Sequence, residues 1–220
     1  MPQRPPDVTP EIVQRDLSED QLRGLLASPD VAVDTETLGL HPLRDRLCVV
    51  QLCDRAGRAV LVQIQAAQLG PAQPLTERAP RLKRLLEDPG VLKVFHFARF
   101  DVATLRHWLG IQVAPLYCTR TVSKLVRTYT DRHGLKDNLL ELLDVELDKA
   151  TRTSDWASPS LSADQVRYAI SDVTLLLQLK DKLHTMLVRE GRDGLAQDCF
   201  SAISTMARLD LLGFDLLFEH

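Results

Sequence analysis

The sequence predicts an α/β protein of one domain, in which a mixed sheet is flanked by helices. Three observations support this fold class. The chain has 220 residues, enough to bury a sizeable core in one domain. Apolar strand-like runs come first, strands and helical patterns then alternate, and the C-terminal third is helical in pattern. This order is typical of a mixed sheet with helices packed on its faces.

The predicted strands are short runs of apolar residues that end in polar or turn-forming residues. The second and third are separated by the turn-rich residues 54–58, so we expect them to form a hairpin. The breaker Asp88-Pro89-Gly90 precedes the fourth, and a fifth is short. The predicted strands cover residues 31–33, 46–52, 59–64, 91–97 and 116–118.

The predicted helices follow from leucine and valine residues that recur at helical spacing. The longest begins after Ser162, a favourable N-cap residue, and runs towards Gly191. Residues 70–80 carry three prolines and are expected to form a loop. The helical patterns cover residues 82–86, 102–109, 122–126, 135–143, 162–191 and 196–212.

Composition excludes several classes of protein. No apolar run approaches the roughly 20 residues of a membrane helix, and the polar, proline-rich N-terminus is unlike a signal peptide, so we expect a cytoplasmic protein. The four cysteines have no CxxC spacing and are expected to be reduced, mostly buried thiols. A net charge of −3 argues against a broad binder of duplex nucleic acid. We predict a flexible arm over residues 1–11, a domain over 12–191, and a C-terminal helix with an apolar tail over 192–220.

Two carboxylates stand at the end of the first predicted strand. Alternation along a strand places Asp34 and Glu36 on one face and Thr35 on the other. A divalent cation with a preference for oxygen ligands, Mg²⁺ or Mn²⁺, would relieve the repulsion between two such neighbours. Taken alone, such a pair at a strand end is more often a solvated turn or a helix-cap pair than a metal site.

Two further sites on the chain complete an acidic pattern. Asp101 follows the fourth strand, where it either caps a helix or has a functional role. Tyr168 and Asp172 are spaced i, i+4 and share one helix face. Each feature alone fits ordinary packing or a solvated surface. The features in combination, and in this order along the chain, indicate a functional site more strongly than any one of them does.

The ordered motifs resemble those of the DEDDy branch of the DnaQ-like exonucleases, which have a ribonuclease-H-like fold. Residues 34–40, Asp-Thr-Glu-Thr-Leu-Gly-Leu, are similar to that family's first motif. Residues 147–149 and 154–156 resemble the approach to the third motif in ribonuclease D, and residues 127–137 resemble the compact nanoRNase C subgroup. The resemblance covers roughly residues 12–190.

The resemblance implies a two-metal 3′→5′ exonuclease. It assigns Asp34 to bridge both ions, Glu36 and Asp172 to complete the site of the ion carrying the attacking water, and Asp101 to hold the second ion through water. Tyr168 would orient that water. These five residues, Asp34, Glu36, Asp101, Tyr168 and Asp172, are the predicted catalytic residues, and the four acids among them are the predicted metal ligands.

Seven residues are candidates for substrate contact. The resemblance implies that the backbone at Thr35 and Thr37 meets the terminal nucleotide, and the other five each have an ordinary alternative. Leu40 either packs on a base or is a loop leucine, and His96 either faces the substrate or closes the fourth strand. Trp156 either stacks on a base or anchors its loop. The basic residues Arg99 and Lys136 either contact phosphate or are simply solvated. The set is Thr35, Thr37, Leu40, His96, Arg99, Lys136 and Trp156.

Two departures from the family pattern affect substrate contacts. Many relatives have asparagine where Phe97 stands, and ribonuclease D has aspartate where Cys118 stands. The apolar tail at residues 211–218 indicates an interface, and the resemblance implies a ring-shaped homo-oligomer, by analogy an octamer. We therefore expect hydrolysis of dinucleotides and short RNA. The alternatives are trimming of longer RNA, a single-stranded DNA exonuclease, and a noncatalytic nucleic-acid-binding module.

Overall fold

A six-stranded mixed sheet organises the molecule, which we describe from a computed structural model covering residues 3–6, 8–147 and 154–218. The strand order across the sheet is β1-β4-β3-β2-β5-β6. Strands β2, β3 and β4 pair antiparallel, and the other neighbours pair parallel. The strands are β1 (Glu11–Gln14), β2 (Asp30–Thr37), β3 (Leu47–Asp54), β4 (Ala59–Gln63), β5 (Leu92–Phe95) and β6 (Leu116–Cys118). The predicted α/β class and the β3–β4 hairpin are confirmed.

Helices cover the sheet and bury its centre. All eight residues of β3 are buried, as expected for a central strand covered on both faces. The helices are α1 (Glu19–Leu26), α2 (Pro80–Leu86), α3 (Ala98–Leu109), α4 (Thr119–Val126), α5 (Leu135–Leu143), α6 (Ala163–Thr174), α7 (Leu176–Arg189) and α8 (Asp193–Leu211). Helix α6 packs against β2, β3 and β4, while α7 packs against β2 and β5. No helix in the described ranges has both the length and the apolarity needed to cross a bilayer.

The long helix predicted from Ser162 to Gly191 is instead two helices. Ser162 caps α6 as predicted, through a capping box with Gln165. The break falls at Leu175, which ends α6 and precedes α7. The three consecutive leucines 175–177 are all buried. One straight helix would spread them over about 200° of its surface, so the break allows all three to reach the core.

The N-terminal part contains two elements that the periodicity did not reveal. Strand β1 adds in parallel to the outer edge of β4. Helix α1 begins at Ser18, whose side chain accepts from the backbone N–H of Gln21 while the Gln21 side chain accepts from the backbone of Ser18. Farther back, the backbone of Gln3 pairs with residues 144–146. The division into arm, domain and tail stays a prediction.

The remaining expectations concern single segments. Cys48, Cys53 and Cys118 are buried free thiols and Cys199 is half-buried, as predicted. The predicted loop at 70–80 contains a short 3₁₀ turn at Leu75–Glu77. The ribonuclease D-like signature at residues 147–149 lies largely outside the described residues, because 148–153 are not described.

Candidate active site

Three carboxylates converge where β2 meets α6. Strand β2 continues through Thr37, so Asp34 and Glu36 lie within it rather than after its end. Helix α6 crosses this strand and carries Asp172. One ligand oxygen from each of Asp34, Glu36 and Asp172 lies within 4.8 Å of the others. The predicted pairing of the strand acids with the helix acid is thus present in space.

Asp101 joins the three acids through a neighbouring threonine. It lies in the first turn of α3 and is 4% exposed. The Thr35 hydroxyl donates to Asp101 Oδ1 at 2.6 Å, which fixes this carboxylate beside the strand that carries Asp34. Asp101 is outside the tight three-carboxylate group, so its role as a ligand acting through water stays a prediction.

The electrostatics of this cluster are unfavourable without a cation. Burial raises the pKa of Asp34 to about 7. Burial, followed by the charges of Asp34, Asp172 and Asp101, raises the pKa of Glu36 to about 9. Burial and the charge of Asp34 also raise the pKa of Asp101 well above its ordinary value. Fixed carboxylates that resist ionisation together fit a divalent metal site, since hard oxygen donors suit Mg²⁺ or Mn²⁺ and a cation would offset their repulsion.

Gln51 belongs to the cluster and was missed by the sequence reasoning. It is fully buried on β3, directly opposite Asp34 in the antiparallel register. Its side-chain amide donates to Asp34 Oδ2 at 3.4 Å and to Glu36 Oε1 at 3.3 Å. The signal was a glutamine inside an otherwise apolar strand. It holds both carboxylates in place while adding no charge.

Tyr168 and Trp156 form the side of the site next to α6. Tyr168 lies one turn before Asp172 on the same helix and is half-buried. The centroid of its ring is 6.0 Å from that of Trp156, which is 3% exposed. In this structure Trp156 therefore packs against Tyr168, and base stacking by Trp156 stays a prediction.

The other predicted substrate residues lie in different parts of the structure and have different surroundings. Thr37 donates its hydroxyl to the Gly39 carbonyl, in the loop whose Leu40 is 88% exposed. Arg99 forms an ion pair with Asp210 of α8, with Nε–Oδ2 and Nη2–Oδ1 distances of 2.8 and 2.5 Å. Lys136 lies half-buried on α5. Their contacts with substrate remain predictions.

His96 is enclosed by protein beside the site. Its Nδ1 is 2.9 Å from the Thr119 hydroxyl, which itself donates to the Phe95 carbonyl. Burial, and secondarily the charge of Arg120, lowers the pKa of His96 to about 4. His96 is therefore neutral at physiological pH, whichever of its two predicted roles it has.

Comparison with known proteins gives a family for these motifs. The family model described as 3′–5′ exonuclease matches residues 10–188. Ribonuclease D of Acidiphilium cryptum is 36% identical over 176 residues, 79% of this chain and 42% of the relative. The chain thus aligns with less than half the length of this curated relative.

Solved structures extend the similarity over nearly the whole chain. Brucella melitensis NrnC bound to pGG is 45% identical, covers 94% of this chain and 95% of its own, and has a TM-score of 0.85. The same Brucella protein has also been solved with bound Mg²⁺. Escherichia coli RNase D, 23% identical over 91% of this chain and 51% of its own, shares the fold with a TM-score of 0.75. The ribonuclease-H-like fold expected from the motifs is confirmed.

Proposed function

Because this chain belongs to the 3′–5′ exonuclease family, we propose that it is a metal-dependent 3′→5′ exoribonuclease acting on short RNA. The observation that carries the proposal is the convergence of Asp34, Glu36 and Asp172 within 4.8 Å. Asp101 lies beside them through Thr35. The four acids come from three segments that are widely separated in sequence, and ordinary packing gives no reason for them to meet at one place. Together they can hold divalent cations.

Divalent ions at these acids would activate water and stabilise the charge that develops on the phosphate and the leaving oxygen. Asp34, Glu36 and Asp172 form the tight group that would bind one ion, and Asp34 with Asp101 would bind a second. We take two ions, Mg²⁺ or Mn²⁺, as part of the proposal. The Mg²⁺-bound form of the Brucella relative supports a divalent ion.

Tyr168 would orient the attacking water from the α6 side. Attack forms a new P–O bond while the bond from phosphorus to the 3′-oxygen breaks, and a proton passes to that oxygen. The products are a nucleoside 5′-monophosphate and an RNA shortened by one residue with a free 3′-hydroxyl. A phenol hydroxyl removes protons poorly at neutral pH, so we assign Tyr168 to orientation rather than to proton removal.

Short substrates fit two features of the chain. The net charge of −3 gives little basis for gripping a long phosphate backbone. The pGG complex of the Brucella relative supports a ligand of dinucleotide size. We therefore propose dinucleotides and short oligoribonucleotides as substrates, hydrolysed in the cytoplasm by a homo-oligomeric ring. The similarity to ribonuclease D favours trimming of longer RNA 3′ ends as the second candidate.

Substrate length decides between these two candidates. The measurement is kcat/KM for 5′-labelled RNAs of two to about ten nucleotides, at low and moderate salt with Mn²⁺. We expect dinucleotides to be cleaved at least as fast as the longer RNAs, with a shallow salt dependence because few phosphates are contacted. A strong preference for the longer RNAs would favour the trimming role. Equal rates on DNA dinucleotides would show that the 2′-hydroxyl is not recognised.

A further inference from the structure

Phe97 is an exposed aromatic residue in an unfavourable backbone conformation. It precedes α3 with φ 75° and ψ 47°, in the left-handed region. Bulky side chains rarely adopt this region, whereas asparagine tolerates it. Phe97 is 49% exposed, so burial in the core does not account for this conformation. Strain of this kind persists mostly where function retains it.

Arg120 stacks on the Phe97 ring. Its Cζ atom lies 4.4 Å from the ring centroid, a cation–π distance. Arg120 is in the first turn of α4 and is half-buried. Within the part of the chain that the structure describes, no carboxylate forms an ion pair with it. Its charge is therefore available to an anionic ligand.

The Phe97–Arg120 pair flanks the catalytic acids. Strands β2 and β5 run parallel with Ala32 beside Val94. Three residues farther on, Thr35 lies in the C-terminal half of β2 and Phe97 lies two residues after the end of β5. Asp101 follows Phe97 by one helical turn in α3 and accepts the hydrogen bond from Thr35. A nucleotide whose phosphate reaches the acids would therefore pass close to this pair.

We propose that Phe97 and Arg120 form a nucleotide-binding element, in which the Phe97 ring stacks on a base and Arg120 contacts a phosphate beside it. Aromatic rings bind bases of any sequence by stacking, and a guanidinium pairs readily with phosphate. The geometry supplies both groups in contact with each other beside the acids. This inference rests on the proposed exonuclease function, because it presumes a nucleic-acid ligand.

Substitution of Phe97 distinguishes an effect on nucleotide binding from an effect on folding. Phe97→Asn removes the ring and relieves the backbone strain, so we expect a thermal midpoint equal to or above that of the wild type. With a ribodinucleotide, KM should rise by roughly tenfold, the scale of one lost base stack, while kcat changes by less than about threefold. A wild-type KM in this folded variant would overturn the stacking role.

Substitution of Arg120 tests the phosphate contact. In Arg120→Gln, KM should rise and the slope of log(1/KM) against log salt should become shallower by about 0.7, the value for one phosphate on a single strand. Arg23→Gln is the matched control, since Arg23 lies exposed on α1 and forms an ion pair with Asp20. An unchanged slope in Arg120→Gln, or an equal change in Arg23→Gln, would contradict the phosphate contact.

Equilibrium binding distinguishes failure of this inference from failure of the proposed function. The probe is a fluorescent ribodinucleotide with a non-hydrolysable linkage, with binding followed by anisotropy. The wild type could bind the probe without cleaving RNA. If Phe97→Asn then binds the probe more weakly than the wild type does, the result would support the element and reject the exonuclease. Wild-type KM values in both variants of an active enzyme would reject the element alone. A wild type that neither binds nor cleaves would reject both.

Discussion

At the scale of single residues, the site consists of acids that the fold holds together against their own repulsion. Asp34 and Glu36 share one face of β2, and Gln51 on β3 donates to both. Thr35 fixes Asp101 from the same strand. Raised pKa values for the acids show that the metal-free fold disfavours their charged forms. The buried acids therefore destabilise the metal-free fold while forming a site that favours divalent cations.

The stability of the metal-free protein should fall as pH rises. The pKa of Glu36 is about 9 in the folded chain against an ordinary value of 4.5. Its contribution to stability is therefore complete below about pH 4.5 and is lost as pH rises through 9. Asp34 acts in the same direction, with a folded pKa of about 7 against 3.8. At pH 8 in EDTA, Glu36→Gln should raise the thermal midpoint by at least about 2–4 °C and flatten its pH dependence.

Thermal denaturation from pH 6 to 9 measures this effect, with Glu77→Gln as the control. Glu77 is exposed, so its substitution should leave the midpoint unchanged. Excess Mn²⁺ should reverse the trend, because metal binding displaces protons from the acids and grows stronger as pH rises. A Glu36→Gln midpoint equal to or below that of the wild type in EDTA would show that the cluster is not under repulsion.

Tyr168 should matter for the rate of hydrolysis and little for metal binding. Tyr168→Phe keeps the ring that packs 6.0 Å from Trp156 and removes the hydroxyl assigned to water orientation. We expect kcat to fall by roughly 10²-fold, the usual loss for such a contact, with Mn²⁺ affinity unchanged. Single-turnover kinetics and calorimetry measure the two quantities. A normal rate would assign Tyr168 to packing alone.

At the scale of elements, a buried arginine organises the connection between α4 and α5. Arg127 is fully buried, and its guanidinium donates to the Ser123 hydroxyl, the Arg132 carbonyl and the Asn138 side chain at 3.1, 2.8 and 2.9 Å. It also forms an ion pair with Glu141. These contacts fix the connection between α4 and α5, which lies within the segment 127–137 that resembles the nanoRNase C subgroup.

Loss of this arginine should destabilise the fold. Arg127→Ala removes the hydrogen bonds that the guanidinium donates to Ser123, to Asn138 and to the Arg132 carbonyl, together with the ion pair to Glu141, so the free energy of unfolding should fall by about 2 kcal/mol or more. Arg132→Ala is the matched control: Arg132 is exposed and paired with Asp137, and a surface pair contributes about 1 kcal/mol at most. Urea denaturation compares the two. Equal losses would show that the buried network contributes no more than a surface ion pair.

Element patterns explain which parts of this fold were predictable from the sequence. The strands β2 to β6 and the carboxylate motifs were predicted because their signals are local. The break at Leu175 was not, because it depends on burying three consecutive leucines against the sheet. Gln51 was missed because its partner acids lie on another strand. Strand β1 depends on pairing with β4, although the Ser18–Gln21 capping box was a readable sign of α1.

At the scale of the whole molecule, the C-terminal tail leaves an apolar surface exposed. The apolar residues that follow α8 are 55–71% exposed and together form a large uncovered apolar surface. Such a patch is typical of a contact surface. The exposed residues are Leu212, Phe214, Leu216, Leu217 and Phe218. The homo-oligomer expected from the sequence would bury them.

Deleting the residues after Leu212 should therefore dissociate the assembly. The truncation removes four of the five exposed apolar side chains and leaves the ion pair between Arg99 and Asp210 intact. Light scattering should show a lower molar mass than for the full chain, with an unchanged circular dichroism spectrum. The double variant Phe214→Ser, Phe218→Ser provides a milder test of the same surface. An unchanged mass, or a monomeric full-length chain, would reject the tail as the contact.

Metal binding and turnover of Asp34→Asn, measured on the same sample, test the carboxylate assignment most directly. Asp34 belongs to the tight three-carboxylate group and is the predicted bridging ligand, so removing its charge should weaken both ions. Asp198→Asn, an exposed substitution on α8, is the control and should match the wild type. We predict that folded Asp34→Asn loses Mn²⁺ binding by calorimetry and hydrolysis of a ribodinucleotide. Near-wild-type turnover by this folded variant would contradict catalysis by metal ions held at these acids.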